Sequence, residues 1–180
     1  MSTPQEIERL ILGTADGDRT AFLSLYDHTS AKLYGICLRV LKDRAEAEDV
    51  LQEVFLKIWR NADRYRANGF SPMTWLITVA RNGAIDRLRA RRVKAEDLDV
   101  VTEVPDHGPT PEAAAVASSE SAQVHRCLGE LETDKAGAVK GAYLEGLTYQ
   151  ELAENYGVPL NTMRTWLRRS LQKLKECLTR

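Results

Sequence analysis

From Ala95 to Ser121 the chain carries seven acidic residues and no lysine or arginine, with Pro105, Gly108, Pro109 and Pro111 among them. Such a segment is poor in the large apolar side chains that pack a core and rich in turn formers, so it reads as a linker in irregular or extended form. Only the run Ala113–Ala117 suits a helix, as a lead into the second domain. The expected division of the 180 residues is therefore a domain over 1–93, an acidic linker over 94–119 and a domain over 120–180. Fully extended, about 27 residues reach roughly 90 Å, enough to set two small domains on separate surfaces of a large partner.

The charge pattern repeats this division. A net charge of −1 gives no hint of a nucleic-acid ligand, but its distribution does. Arg81, Arg87, Arg89, Arg91, Arg92 and Lys94 stand against Asp86 alone, and Arg164, Arg168, Arg169, Lys173, Lys175 and Arg180 against Glu176 alone. Two basic helical segments on either side of an acidic spacer are what a bipartite DNA-binding protein needs.

Apolar periodicity is helical throughout. Ile7, Leu10 and Ile11 begin one stripe; Asp18 can cap a second helix bearing Ala21, Phe22, Leu25 and Tyr26; a third is expected from about Ser30 to Leu41. A fourth starts near Arg44, with Val50, Leu51, Val54, Phe55 and Ile58 on one face. Asn68-Gly69 and Ser71-Pro72 break the pattern between Asn61 and Pro72, and a fifth helix from Met73 runs into the basic segment. Further helices are expected around Val124–Leu131, from about Asp134 to Leu144, from Thr148 to Tyr156, and from Asn161 or Thr162 to Leu178. No segment alternates with period two, so an all-α fold is expected.

Cys37, Cys127 and Cys177 are few, odd in number and far apart, which predicts three separate structural thiols rather than a disulfide scaffold or a zinc site. His28, His107 and His125 lack ligand spacing, and no phosphate loop or nucleophile elbow occurs, so no catalytic residue, metal or cofactor is expected. The N-terminus shows no signal peptide and no apolar run approaches a membrane span, which points to the cytoplasm without direct membrane insertion.

The most informative local motif is Leu147-Thr148-Tyr149-Gln150-Glu151-Leu152-Ala153, then Gly157-Val158, then Thr162-Met163-Arg164-Thr165-Trp166. Thr148 and Glu151 have capping-box spacing, Ala153 is small where two helices cross, and Gly157 permits a left-handed helix end. These are the parts of a helix-turn-helix whose second helix enters a major groove, with Asn161, Arg164, Thr165 and Arg168 facing out. The plainer alternative is a three-helix bundle with a solvated basic face. Between Asn61 and Pro72, Tyr65, Arg66, Asn68 and Phe70 beside a basic helix suit single-stranded DNA, whose flipped bases need polar readers and stacking faces. Here the alternative is that Phe70 and Trp75 belong to the core and Arg87–Arg92 are a solvated helix end.

These residues carry a family resemblance. Asp49-Val50-Leu51-Gln52-Glu53-Val54-Phe55-Leu56-Lys57-Ile58-Trp59, with Trp75-Leu76-Ile77-Thr78-Val79-Ala80-Arg81-Asn82, Ile85-Asp86 and Leu88-Arg89, resembles region two of bacterial sigma factors. Leu144-Glu145-Gly146-Leu147-Thr148-Tyr149-Gln150-Glu151-Leu152-Ala153 and the helix-turn-helix resemble region four. With no third domain between them, the chain is similar over nearly its whole length to the extracytoplasmic-function group (group 4) of the sigma-70 family. The resemblance implies two small helical domains that bind core RNA polymerase and direct promoter-specific initiation in a stress response, without enzymatic activity or a small-molecule substrate. Asp49, Gln52, Glu53 and Phe55 would dock on the beta-prime clamp helices. Arg66, Asn68, Phe70, Ser71, Trp75, Arg81, Asn82, Asp86 and Arg89 would take the minus-ten element, partly as single strand. Asn161, Thr162, Arg164, Thr165, Arg168, Arg169 and Lys173 would read the duplex minus-thirty-five element. The resemblance further implies contact with the beta flap, a linker threaded through polymerase channels, and an anti-sigma factor covering the docking faces.

The chain departs from the family pattern at Leu131-Glu132-Thr133 and Ala136, and Gly137 and Gly141 each lower helix propensity by about 1 kcal/mol relative to alanine. A weakly formed helix is therefore expected there. Asn161 replaces a common glycine and is expected to serve as an N-cap. The rival readings are a conventional helix-turn-helix regulator with a sensing or dimerising domain, for which the Asp49–Trp59 and Trp75–Arg89 segments have no use, and a small nuclease, for which the acid cluster is missing.

Overall fold

The computed structural model describes residues 2–67, 71–98 and 121–180. Among them every regular element is helical, and the chain divides into two compact units, 1–107 and 108–180.

The first unit is built from α1 (Pro4–Ala15), α2 (Arg19–Leu41), α3 (Arg44–Asn61), a 3-10 turn (Ala62–Arg64) and α4 (Pro72–Leu98). Local sequence starts each of the first three helices. Thr3 accepts a hydrogen bond from Glu6 N, Asp18 from Thr20 N and Ala21 N, and Asp43 from Glu46 N, each satisfying amide groups that a helix start leaves open. The second and third helices expected from sequence are one continuous α2. Nothing near Thr29 breaks it, because the Thr29 hydroxyl donates to the Leu25 carbonyl instead of competing for a turn. Ile11, Leu25, Leu33, Val50, Val54, Ile58, Leu76 and Ala80 meet in a fully buried core. At its edge Phe22 packs edge-on against Phe55 and Trp59, and Tyr26 lies tilted on Phe55 at 4.7 Å. Cys37 is buried there, with its thiol pushed up to about 11 by desolvation, so it is a neutral packing group.

α4 is described as helix through Leu98, past the expected start of the linker at residue 94. Lys94, Ala95 and Glu96 are ordinary helix residues, and acidity alone does not stop a helix when the first proline is Pro105. Of the linker expected over 94–119, residues 99–119 lie outside the described residues.

The second unit contains α5 (described over residues 121–129), α6 (Thr133–Tyr143), α7 (Tyr149–Tyr156) and α8 (Leu160–Leu178). Leu128, Leu131, Ala138, Val139, Leu152, Met163, Leu167 and Leu174 form its core. Two expectations fail in this unit. Cys127 and Cys177 are joined in a disulfide, with Cα atoms 5.8 Å apart, because α5 and the last turn of α8 lie side by side. Their 50-residue separation gave no hint of that proximity.

The glycine-containing helix α6 is also well formed. A Cβ on Gly137 would strike the Tyr156 hydroxyl, and one on Gly141 would sit 2.8 Å from Leu152 Cδ2 and 3.3 Å from Leu147 Cδ1. The glycines let α7 approach, and the burial gained at that contact offsets their poor propensity. Gly35, on an exposed part of α2, has nothing within 4 Å of such a Cβ. Gly35→Ala is thus expected to stabilise the first unit by about 1 kcal/mol, and Gly141→Ala to destabilise the second by about 1 kcal/mol, since overpacking outweighs the propensity gain. Urea denaturation of both variants checks the opposite signs.

Candidate nucleic-acid and polymerase interfaces

The helix-turn-helix assembles as its sequence dictates at α7. Thr148 Oγ1 accepts from Glu151 N at 3.1 Å and Glu151 Oε2 accepts from Thr148 N at 2.6 Å, a complete capping box. Ala153 is buried, Gly157 has φ +64°, and Val158 N reaches back to the Ala153 carbonyl at 3.0 Å. The turn ends at Pro159, which caps α8 without a side-chain bond, so α8 begins at Leu160 and Asn161 is not its N-cap. Pro159 holds that position with extended backbone, φ −60° and ψ 148°, its φ fixed by the ring, and the Asn161 side chain instead accepts from Arg164 Nη1 at 3.4 Å.

Met163 and Leu167 are buried and Trp166 partly so, which turns Asn161, Arg164 and Arg168 outward. Thr165 and Thr162 are half-buried between these faces, and the Thr165 hydroxyl donates to the Asn161 carbonyl. Arg169 and Lys173 are exposed one turn apart. Behind them Lys135 lies over the Trp166 ring and pairs with Glu132 at 2.9 Å, holding that carboxyl below its ordinary range.

In the first unit Asn68 and Phe70 lie outside the described residues. Arg66 is exposed, but its Nη1 donates to the backbone carbonyls of Asp63 and Tyr65, at 2.6 and 2.8 Å. Ser71 is exposed and its carbonyl accepts from Thr74 N at the start of α4. Trp75 is half-buried against the core, its ring meeting Tyr65 edge-on. Asn82, Asp86 and Arg89 share one exposed stripe of α4, and Arg81 lies half-buried with Nη2 at 3.5 Å from Asn82 Oδ1.

The basic run divides by direction. Arg87 turns back to Glu53 at 2.8 Å, and Arg91 to Glu46 at 3.0 Å and the Leu41 carbonyl at 3.3 Å. These two arginines brace α4 against α2 and α3 rather than standing as a solvated helix end.

On α3, Asp49, Gln52 and Glu53 are exposed, Glu53 being the partner of Arg87. Phe55 is 4% exposed and belongs to the core, so it cannot form part of the outer face. Leu56 is 53% exposed and takes that place, one turn from Gln52 and Glu53. Apolar periodicity sets Val50, Leu51, Val54, Phe55 and Ile58 on one face and assigns Leu56 to neither side; its offset by two residues from both Val54 and Ile58 is the signal that marks it as outward.

Among the described residues no group of three His, Cys, Asp or Glu side chains is placed to hold a metal ion, and no helix is long and apolar enough to cross a membrane.

The two units, each with a basic helix and one with a capped helix-turn-helix, define a two-domain transcription factor of the sigma type, and known proteins agree. The family model for sigma-70 region 2 matches residues 25–93, and that for sigma-70 region 4 matches residues 121–174. The ECF RNA polymerase sigma factor SigK of Mycobacterium ulcerans is 34% identical, over 96% of this chain and 94% of that protein. SigK of Mycobacterium tuberculosis H37Rv is 32% identical over the same shares. Among solved structures, Rhodobacter sphaeroides SigE in complex with the anti-sigma ChrR is 25% identical, with a TM-score of 0.46 over 97% of this chain and 99% of that one. The chain belongs to the family of ECF RNA polymerase sigma factors. It directs promoter-specific initiation of transcription.

Proposed function

We propose that the chain acts without catalysis of its own, in the cytoplasm, by docking on core RNA polymerase through the outer face of α3 and reading two promoter elements. Residues 66–71 and α4 take the minus-ten element as unpaired strand, and the first turns of α8 enter the major groove at the minus-thirty-five element. The observation that carries the reading is the outward face of α8, where Asn161, Arg164 and Arg168 stand exposed on a helix set by the α7 turn. Arginine bonds guanine bidentately in the major groove, while Arg169 and Lys173 suit phosphates. Asp49, Gln52 and Leu56 form an acidic and apolar docking face for the beta-prime clamp helices. The second unit meets the beta flap.

An anti-sigma protein that covers the α3 face would keep the chain off the polymerase until a stress releases it. A pull-down from unstressed cells that recovers only polymerase subunits counts against this control.

The direct test is in-vitro transcription from a genomic promoter library with sigma-free core polymerase, with and without the chain. New start sites are expected, with Arg164→Ala and Asn68→Ala each weakening them roughly tenfold. No new starts, together with specific duplex binding by the chain alone, would establish a conventional regulator instead.

A further inference from the structure

The segment assigned to the minus-ten element lies between two buried residues, Tyr65 and Pro72. Tyr65 itself is 6% exposed. Its hydroxyl donates to Glu8 Oε1 at 3.1 Å, a side-chain bond spanning 57 residues that reaches from the end of the 3-10 turn back to α1. Its ring meets Trp75 at 5.7 Å and 66°, so the core residue before the segment touches an aromatic side chain just after it. Its amide donates to the Ala62 carbonyl, and its carbonyl accepts from Arg66 Nη1. Tyr65 therefore ties α1 to the first turn of α4 through its side chain, and the 3-10 turn to the base of the segment through its main chain. α1 precedes residues 25–93, the part matched by the region 2 family model.

We infer that Glu8 and Tyr65 are positioning residues that set the base of the minus-ten reading segment through their mutual hydrogen bond. The inference rests on the reading of residues 66–71 as that segment. A phenylalanine at 65 would fill the same space and keep the contact with Trp75. The hydroxyl adds direction: at this part-buried site its bond to the Glu8 carboxylate, 3.1 Å long, fixes the far end of the ring. A ring held by packing alone can rock within its pocket, whereas a ring pinned at its far end cannot. Arg66 and Ser71 are then held at a constant separation, so the two ends of the segment are already set when the strand binds. Pre-organisation of this kind improves affinity.

The test uses holoenzyme reconstituted with sigma-free core polymerase. The probe is a short dye-labelled single strand with the non-template sequence upstream of the strongest start found by in-vitro transcription. Tyr65→Phe and Glu8→Ala are each expected to weaken strand capture about fivefold. The double variant should lose no more than either alone, because both remove one bond. Glu8→Gln, whose amide oxygen still accepts, should capture within about twofold of wild type, which a general need for negative charge on α1 would not allow. Affinity for core polymerase and duplex minus-thirty-five binding should not move, which separates positioning from a loss of fold. Wild-type capture by Tyr65→Phe and Glu8→Ala overturns the inference, as do additive losses or an equal fall in core affinity. If the wild-type holoenzyme fails to capture the strand, the minus-ten reading itself falls, and this inference with it.

Discussion

Reduction of the Cys127–Cys177 bond with dithiothreitol is expected to lower the stability of the second unit by about 4 kcal/mol and to leave the first unit unchanged. The bond closes a loop with a sequence separation of 50 residues. Constraining the unfolded chain over such a loop is worth roughly 4 kcal/mol in the chain-entropy account. The unit has a small core, whose members include Leu128, Ala138, Leu152, Met163 and Leu167, and small domains bury a low fraction of their surface. A loss of that size would move its thermal midpoint by roughly 20 °C. The first unit offers no comparable target, since its buried Cys37 is a free thiol. Calorimetry of the whole chain with and without reductant should show one transition shifting and the other standing still. A Cys127→Ala/Cys177→Ala variant should melt low in both conditions. Identical midpoints with and without reductant, in a chain shown by mass to be oxidised at the start, would defeat the expectation.

Leu56→Arg should weaken binding to core polymerase by at least about thirtyfold while the first unit stays folded. An apolar side chain at the middle of a docking face, ringed by polar neighbours, is where truncation or reversal costs most, commonly about 2 kcal/mol or more. Leu56 has that setting, 53% exposed between Gln52 and Glu53 on one turn and Arg60 on the next. Its exposure also means that arginine can be accommodated without opening the core. Phe55→Ala provides the contrast. It empties a buried site against Phe22 and Tyr26 and should cost the fold about 3–5 kcal/mol, so any loss of binding there would follow from unfolding. Titrating labelled variants with core polymerase, alongside their circular dichroism, distinguishes the two. Wild-type affinity in Leu56→Arg would move the docking surface away from this face of α3.

Much of the candidate site is legible along the chain because its signals are local. The Thr148–Glu151 capping box, the left-handed Gly157 and the alternation of Met163 and Leu167 with Arg164 and Arg168 each involve residues within one or two helical turns. Charge segregation likewise separates the two basic segments from the acidic stretch. Helix ends are less legible. A boundary before Ser30 fails because the Thr29 hydroxyl is absorbed by its own helix, and a cap at Asn161 fails because Pro159 holds that position. Such errors arise because a residue able to end a helix does so only when nothing nearby satisfies it better.

The sequence alone determined the all-α class, the helix-turn-helix and the family, since periodicity, capping and motif order depend on neighbours along the chain. The tertiary structure decided everything that depends on what lies across a helix interface. It paired Cys127 with Cys177, made Gly137 and Gly141 points of close approach, and turned Arg87 and Arg91 into braces. It also exchanged Phe55 for Leu56 on the outer face and joined Tyr65 to Glu8. The disulfide spans 50 positions and the Tyr65–Glu8 bond 57, separations that leave no periodic trace. Only the packing of one apolar face against another brings such partners within bonding distance, and that packing is the property a linear pattern does not contain.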